Sequence, residues 1–172
     1  MKQTKMKSRI LLCSFSAVAL AAALVVPSFA GEKETPVKFA DLPAAVQKTI
    51  TKEAGGGTIG AVTKEDEDGK VAYEAKVTSG KRKFEVIVFE NGKLKEIEEP
   101  ASTADVPEAV LKAIKAQAEG GKVTAIDKVT LASGEVRYEA DIKKGGKAME
   151  IQFSSKGKVL ETEVAGSEDA KK

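Results

Sequence analysis

The chain has 172 residues, with 28 Lys and Arg against 26 Asp and Glu, one Cys and no His or Trp. So even a charge balance gives no electrostatic reason to expect a nucleic acid, and the missing histidine removes imidazole bases and the commonest zinc ligands. Whatever chemistry remains falls to carboxylates, Lys, Ser/Thr and two Tyr.

Residues 1–30 predict a signal peptide. Lys2, Lys5, Lys7 and Arg9 precede an apolar run from Ile10 to Val26, then Pro27 and Ser28-Phe29-Ala30. The run is short for a membrane span and ends in small residues, so cleavage is expected after Ala30, leaving a periplasmic or secreted chain with no membrane contact. Cys13 leaves with it. Removing those four basic residues leaves 24 Lys and Arg against 26 acids, a formal charge of −2. Residues 31–38 are polar and are expected to be flexible.

The body of the chain then says the same thing twice. ADLPAAVQKTITKEAGGGTIGAV from Ala40 returns as ADVPEAVLKAIKAQAEGGKVTAI from Ala104, and GKVAYEAKVTSG from Gly69 returns as GEVRYEADIKKG from Gly134. The interval grows from 64 residues between Pro43 and Pro107 to 65 between Tyr73 and Tyr138, so one residue is added inside the second copy. Such duplication predicts two copies of one supersecondary unit, 39–99 and 100–165, followed by a disordered tail, 166–172.

Each copy opens on a helix start, with Asp41 before Leu42-Pro43 and Asp105 before Val106-Pro107 read as capping acids followed by a first-turn proline. Leu42, Val46, Ile50 and Ala54 form one apolar stripe, and Val106, Val110, Ile114 and Ala118 repeat it. Gly55–Gly57 and Gly120-Gly121 end the helices. Beyond them the period falls to two. Strands are expected over 58–65, 71–78, 82–89 and 94–98, then 122–131, 135–143, 147–153 and 158–164, with turn chemistry such as Asn91-Gly92 and Ser133-Gly134 between them. The fold class expected is α+β: two repeats, each an N-terminal helix packed on a four-stranded antiparallel sheet.

The run Leu/Val-Pro-x-Ala-Val-x-x-x-Ile, the glycine helix end, Tyr-Glu-Ala on the second strand and the Gly-Lys turn before the last together resemble the PepSY-like domains. These are similar in fold to the bacterial β-lactamase-inhibitor protein, a tandem of helical segments on four-stranded sheets. The resemblance implies a secreted or periplasmic binding module, an inhibitor or regulator of an envelope or secreted protein, with no cofactor. It carries over no contact residue.

Little in the sequence asks for catalysis. Tyr73 and Tyr138 hold equivalent positions and read as core residues with a hydroxyl at the core's edge. Glu65-Asp66-Glu67-Asp68-Gly69 invites a calcium loop, but with Gly69 at the sixth position Lys64 stands first and Ala75 twelfth, where acids are needed. It reads as a solvated hairpin tip. Glu96 and Glu98 share one strand face, as do Glu161 and Glu163, and both pairs are expected beside water, where a pKa has little cause to move. Gly55–Gly57 follows a helix rather than preceding one and is no phosphate loop. Lys81-Arg82-Lys83 and Lys143-Lys144 flank turns. A hydrolase would need a Ser–Lys pair. The leading reading is therefore a non-enzyme that binds a protein partner in the periplasm or outside the cell. Its candidate face is the set of charges alternating with core residues: Glu74, Lys76, Glu85, Arg137, Glu139, Asp141 and Glu150. The alternative is a periplasmic binding protein for a small ligand or divalent cation using Asp66, Glu67 and Asp68.

Overall fold

The structure is a computed structural model that describes residues 35–67 and 70–164. The expected signal peptide, the tail and the loop residues Asp68 and Gly69 lie outside the described residues. In chain order the elements are β1 (Thr35–Val37), a 3-10 turn (Phe39–Asp41), α1 (Ala44–Ala54), β2 (Thr58–Glu67), β3 (Lys70–Ser79), β4 (Arg82–Phe89) and β5 (Leu94–Pro100). Then follow α2 (Glu108–Gln117), β6 (Lys122–Leu131), β7 (Val136–Lys144), β8 (Lys147–Ser154) and β9 (Val159–Val164).

All nine strands form one antiparallel sheet in sequential order. This corrects the expectation of two four-stranded sheets. The strand expected over 94–98 instead runs on as far as Pro100 as β5, which pairs with β6 through Glu96–Leu131, Ile97–Thr130, Glu98–Val129, Glu99–Lys128 and Pro100–Asp127. The open edge of each meander finds its missing partner in the other, which removes two exposed rows of N–H and C=O groups. A second correction concerns the segment before α1. Thr35–Val37, expected to be flexible, pairs with Val62–Lys64 and adds the edge strand β1.

Register decides which side of the sheet each residue faces. Val86 lies opposite Ile97, and Ile97 lies opposite Thr130, so these three share a face. Ile97 packs with the α1 cluster, whereas Ile126, four residues before Thr130 and therefore on the same side, packs with the α2 cluster. Both helices thus cover the same face of the sheet. Under α1, Val46 and Ile50 are fully buried against Tyr73, Ala75, Val77, Phe84, Val86 and Val88. Under α2, Val110 and Ile114 meet Tyr138, Ala140, Ile142, Ile151 and Phe153. Tyr73 and Tyr138 are 7% and 6% exposed, as the core reading requires.

The helix starts differ from expectation in one respect. Pro43 and Pro107, not the aspartates, stand at the N-cap positions, and neither cap makes a side-chain hydrogen bond. Asp41 closes the 3-10 turn ahead of α1, and Asp105 accepts a 2.5 Å hydrogen bond from the Ser102 hydroxyl. The Gln47 side-chain amide donates to the Leu42 carbonyl at 2.8 Å and ties α1 to the turn that precedes it. At the other end Gly55 takes the left-handed conformation that stops the helix. The added residue of the second copy falls in the turn between β6 and β7, where Leu131 N–H donates to the Glu135 carbonyl at 2.9 Å. Strand register is therefore untouched, with Val62 opposite Ala75 and Ile126 opposite Ala140.

The turns between β4 and β5 and between β8 and β9 tuck under the helix starts. A Cβ on Gly92 would stand 2.6 Å from the Ala45 Cβ, and one on Gly157 would stand 2.5 Å from the Ala109 carbonyl oxygen. Both glycines also hold positive φ, 81° and 78°, and Thr49 donates to the Gly92 carbonyl at 2.7 Å. Gly92→Ala and Gly157→Ala should therefore each cost more than the ~1 kcal/mol of an ordinary positive-φ replacement, because the turn must also lift off its helix. Chemical denaturation of the two variants checks this. An unchanged midpoint in either would show that the contact is not needed.

Candidate functional site

Because the helices occupy one side, the other side of the sheet is open from β2 to β9, and its floor is a shallow groove. Bulges interrupt the pairing of β2 with β3 between Ile59 and Val62, and of β6 with β7 between Val123 and Ala125. Two more lie at Lys95 on β5, opposite Ile87 and Val88, and at Leu160 on β9, opposite Gln152 and Phe153. Each bulge bends its strand, and repeating them in both halves curves the sheet.

All seven residues of the expected face, Glu74, Lys76, Glu85, Arg137, Glu139, Asp141 and Glu150, line this groove. The register adds others that the two-sheet expectation kept apart: Glu65 from β2, Glu96 and Glu98 from β5, Asp127 from β6, and Glu161 and Glu163 from β9. Eleven carboxylates therefore share the face with Lys76, Lys95 and Arg137 as its only cations among the described lining residues. Alternation marked Glu96, Glu98, Glu161 and Glu163 as outward-facing, but it did not single out Asp127, Glu65 was read only as part of a hairpin tip, and the β5–β6 pairing is what puts them all on one surface.

Several stand directly across from another acid. Glu85 faces Glu98, Asp127 faces Glu139, Asp141 faces Glu150, and Glu150 faces Glu163. The cations relieve part of this. Lys76 Nζ lies 3.2 Å from Glu85 and 3.7 Å from Glu74, and Lys95 Nζ lies 2.9 Å from Glu96. Arg137 is turned toward Glu135 at 2.9 Å and toward the Gln152 side-chain oxygen at 2.9 Å, not toward Glu139. The second half of the groove thus has less compensation.

The acids at the centre do not behave as solvated charges, contrary to the expectation for β5. Glu96 is only 5% exposed. Burial, then the neighbouring charges of Glu96 and Glu85, pushes Glu98 up to about 8. Glu139 rises to about 10, first through burial and then through Glu98 and Glu150, to which it is also hydrogen-bonded. Burial followed by Glu85 takes Glu74 to about 9. Asp127 reaches about 6 through burial and then Asp141, and burial also lifts Asp141 despite Lys143. For Lys95, burial works against the charge but Glu96 overrides it and leaves the ammonium more basic than usual. These shifts come from nine strands set side by side. A residue in the middle of so wide a curved surface has neighbours on both flanking strands and little open water.

The hydroxyls on this face belong to Thr63, across from Glu74 on β3, and to Ser133 in the turn between β6 and β7. Among the described residues no three carboxylates converge as the shell of a metal ion, and of the acidic hairpin tip Glu65 belongs to the groove while Asp68 lies outside the described residues. What the geometry offers is a broad, curved, anionic surface.

Residues 30–96 and 71–161 match the family described as "Putative beta-lactamase-inhibitor-like, PepSY-like". The chain belongs to this PepSY-like family. No curated protein matches it. Solved structures of similar fold include a DUF2874 family protein from Bacteroides uniformis, 16% identical, with a TM-score of 0.57 over 74% of this chain and 92% of that one. A BLIP-like protein from Bacteroides fragilis is 19% identical, with a TM-score of 0.54 over 76% of this chain and 92% of that one. A third, described as among "putative periplasmic proteins" from Bacteroides eggerthii, is 19% identical, with a TM-score of 0.56 over 72% and 88%. At these identities the likeness is one of fold. Among the described residues no helix is long and apolar enough to cross a membrane.

The raised acids link stability to pH. Their folded pKa values lie above those of the unfolded chain, so the folded state holds more protons, and stability must fall as pH rises through the folded values. The window opens near the ordinary carboxylate range and runs through about 6 for Asp127, 8 for Glu98 and 9 to 10 for Glu74 and Glu139. Melting temperature should therefore be highest in mildly acidic buffer and decline toward pH 9. Glu98→Gln and Glu139→Gln should flatten that decline. A melting temperature that instead rose across this range would contradict the assignment.

Proposed function

We propose that this PepSY-like protein is an exported, non-catalytic module of the periplasm that docks a protein partner on the open face of its sheet, as an inhibitor or regulator. The observation that carries the reading is the division of labour between the two sides of the sheet. The helices close one side into a core, whereas the other is wide, curved and, among the described residues, free of helices. Export is supported by the basic and apolar character of residues 1–30 and by the description of a fold neighbour as periplasmic. The family description and the BLIP-like neighbour support protein binding as the mode of action. The register sets most of the groove's acids against other acids, an arrangement that suits a charged docking surface better than a hydrolytic site. The reading requires no cofactor.

The test is capture from a periplasmic extract on immobilised protein beginning at Gly31, followed by identification of what is retained. Reversing Arg137, Glu139 and Asp141 together should weaken retention of the same partner, with a melting curve close to that of the original. If retention survives this change but is abolished by shortening the loop at residues 66–69, binding occurs at the hairpin tips and the sheet-face reading fails.

A further inference from the structure

Resting on that reading, we infer that the partner presents a cationic surface, several Lys or Arg side chains spread over an area as wide as the groove. Three observations carry this. The imbalance is local: the full chain has 28 basic and 26 acidic residues, yet the groove sets eleven carboxylates against Lys76, Lys95 and Arg137. The chain's other charges would serve solubility without this segregation.

The acids are also placed where they cost stability. Acids directly opposite on neighbouring strands repel once both are ionised, and the register keeps four such pairs, Glu85 with Glu98, Asp127 with Glu139, and Glu150 with both Asp141 and Glu163. Glutamine at one member of each pair would relieve the repulsion with the same shape. A face that retains them is preorganised for charge brought from outside.

Third, the acids are distributed rather than convergent. Strands lie about 4.8 Å apart, so the span from β3 to β8 is roughly 24 Å. One ion cannot use such a spread, but a protein surface can.

The duplicated sequence adds a polarity. Glu74 and Glu85 correspond to Glu139 and Glu150, but Lys76, which bridges the first pair, corresponds to Asp141. The β7–β8 half is therefore the more anionic, and the densest positive charge of the partner belongs there. Around Glu139 stand Asp127 from β6, Glu98 from β5 and Glu150 from β8, while the nearby Arg137 is engaged by Glu135 and Gln152. A docked cation would favour ionisation of these acids, so binding should release protons.

The probe is decalysine, titrated into isotopically labelled protein beginning at Gly31 at low ionic strength, with decaglutamate as control and calcium chloride as competitor. Amide shifts should appear on β5 to β8 with decalysine and not with decaglutamate, and affinity should fall steeply with salt. Asp141→Lys should weaken binding roughly tenfold, and Lys76→Asp should strengthen it. The triple variant Glu98→Gln, Glu139→Gln, Glu150→Gln should bind at least about tenfold more weakly while melting no lower than the original, because it removes repulsion. Calorimetry in buffers of different ionisation enthalpy should show proton release. Shifts off the groove, or affinity indifferent to these substitutions, would overturn the inference. So would stoichiometric calcium binding in the groove that blocks decalysine at micromolar concentration, which would make the face an ion site. A partner captured on this face through a neutral or acidic footprint would overturn the inference alone and leave the docking reading standing. A partner captured elsewhere on the molecule would overturn both.

Discussion

The pairing of β5 with β6 is the interaction on which the rest of the structure depends. Its five register pairs join two meanders that would otherwise end in exposed edges, and they fix the parity of one half against the other. Had the register slipped by one residue, Ile126 and Tyr138 would have turned to the side opposite Val86 and Tyr73, and α2 would lie on the face opposite α1. With the observed register both helices share a side. The outward residues of eight strands, β2 to β9, then form one surface instead of two.

That surface is where the local rules of sheet stability are broken. Cross-strand pairs in the core follow expectation, as Tyr73 with Val88 and Tyr138 with Phe153 show. On the open side acids oppose acids, and burial takes Glu98 and Glu139 far from their ordinary range. The energy for this strain comes from the helix side, where Val46, Ile50, Val110 and Phe153 are almost wholly buried. A packed side and a repulsive side on one sheet are what a scaffold that holds a charged surface rigid would require.

Most of the fold was legible in the sequence because its signals are local. The stripes Leu42–Ala54 and Val106–Ala118, the alternation around Tyr73 and Tyr138, and the glycines at each turn place α1, α2 and eight of the nine strands to within about two residues. β1 was missed because three polar-flanked residues, Thr35–Val37, carry no period, and only the exposed edge of β2 gives them a partner. The helix caps were misread because Asp before x-Pro is a common start, whereas here the proline itself occupies the cap and the aspartate belongs to the preceding turn. The join at β5–β6 was hidden for a different reason. Nothing in LKEIEEP distinguishes a strand with one neighbour from a strand with two.

The same ambiguity hid the electrostatics. Alternation placed Glu96 and Glu98 outward, and outward was equated with solvated, which holds for a strand at the edge of a narrow sheet. In a nine-stranded sheet β5 is the middle strand, flanked by Glu85 on one side and by Val129 and Asp127 on the other, so outward side chains there are enclosed by their neighbours. Duplication supplied the width, and divergence between the copies supplied the difference within it. Lys76 corresponds to Asp141, and Ala72 to Arg137. The core positions of the two copies barely change over the same span, with Tyr73, Ala75 and Val77 matched by Tyr138, Ala140 and Ile142. Beyond that span the core exchanges one apolar residue for another, Phe84, Val86 and Val88 for Met149, Ile151 and Phe153. On the open face Glu74, Glu85, Glu96 and Glu98 recur as Glu139, Glu150, Glu161 and Glu163, and the change of character is confined to a few positions such as Ala72 and Lys76. The freedom to differ there is what lets two copies of one structural unit make a single surface with unlike ends.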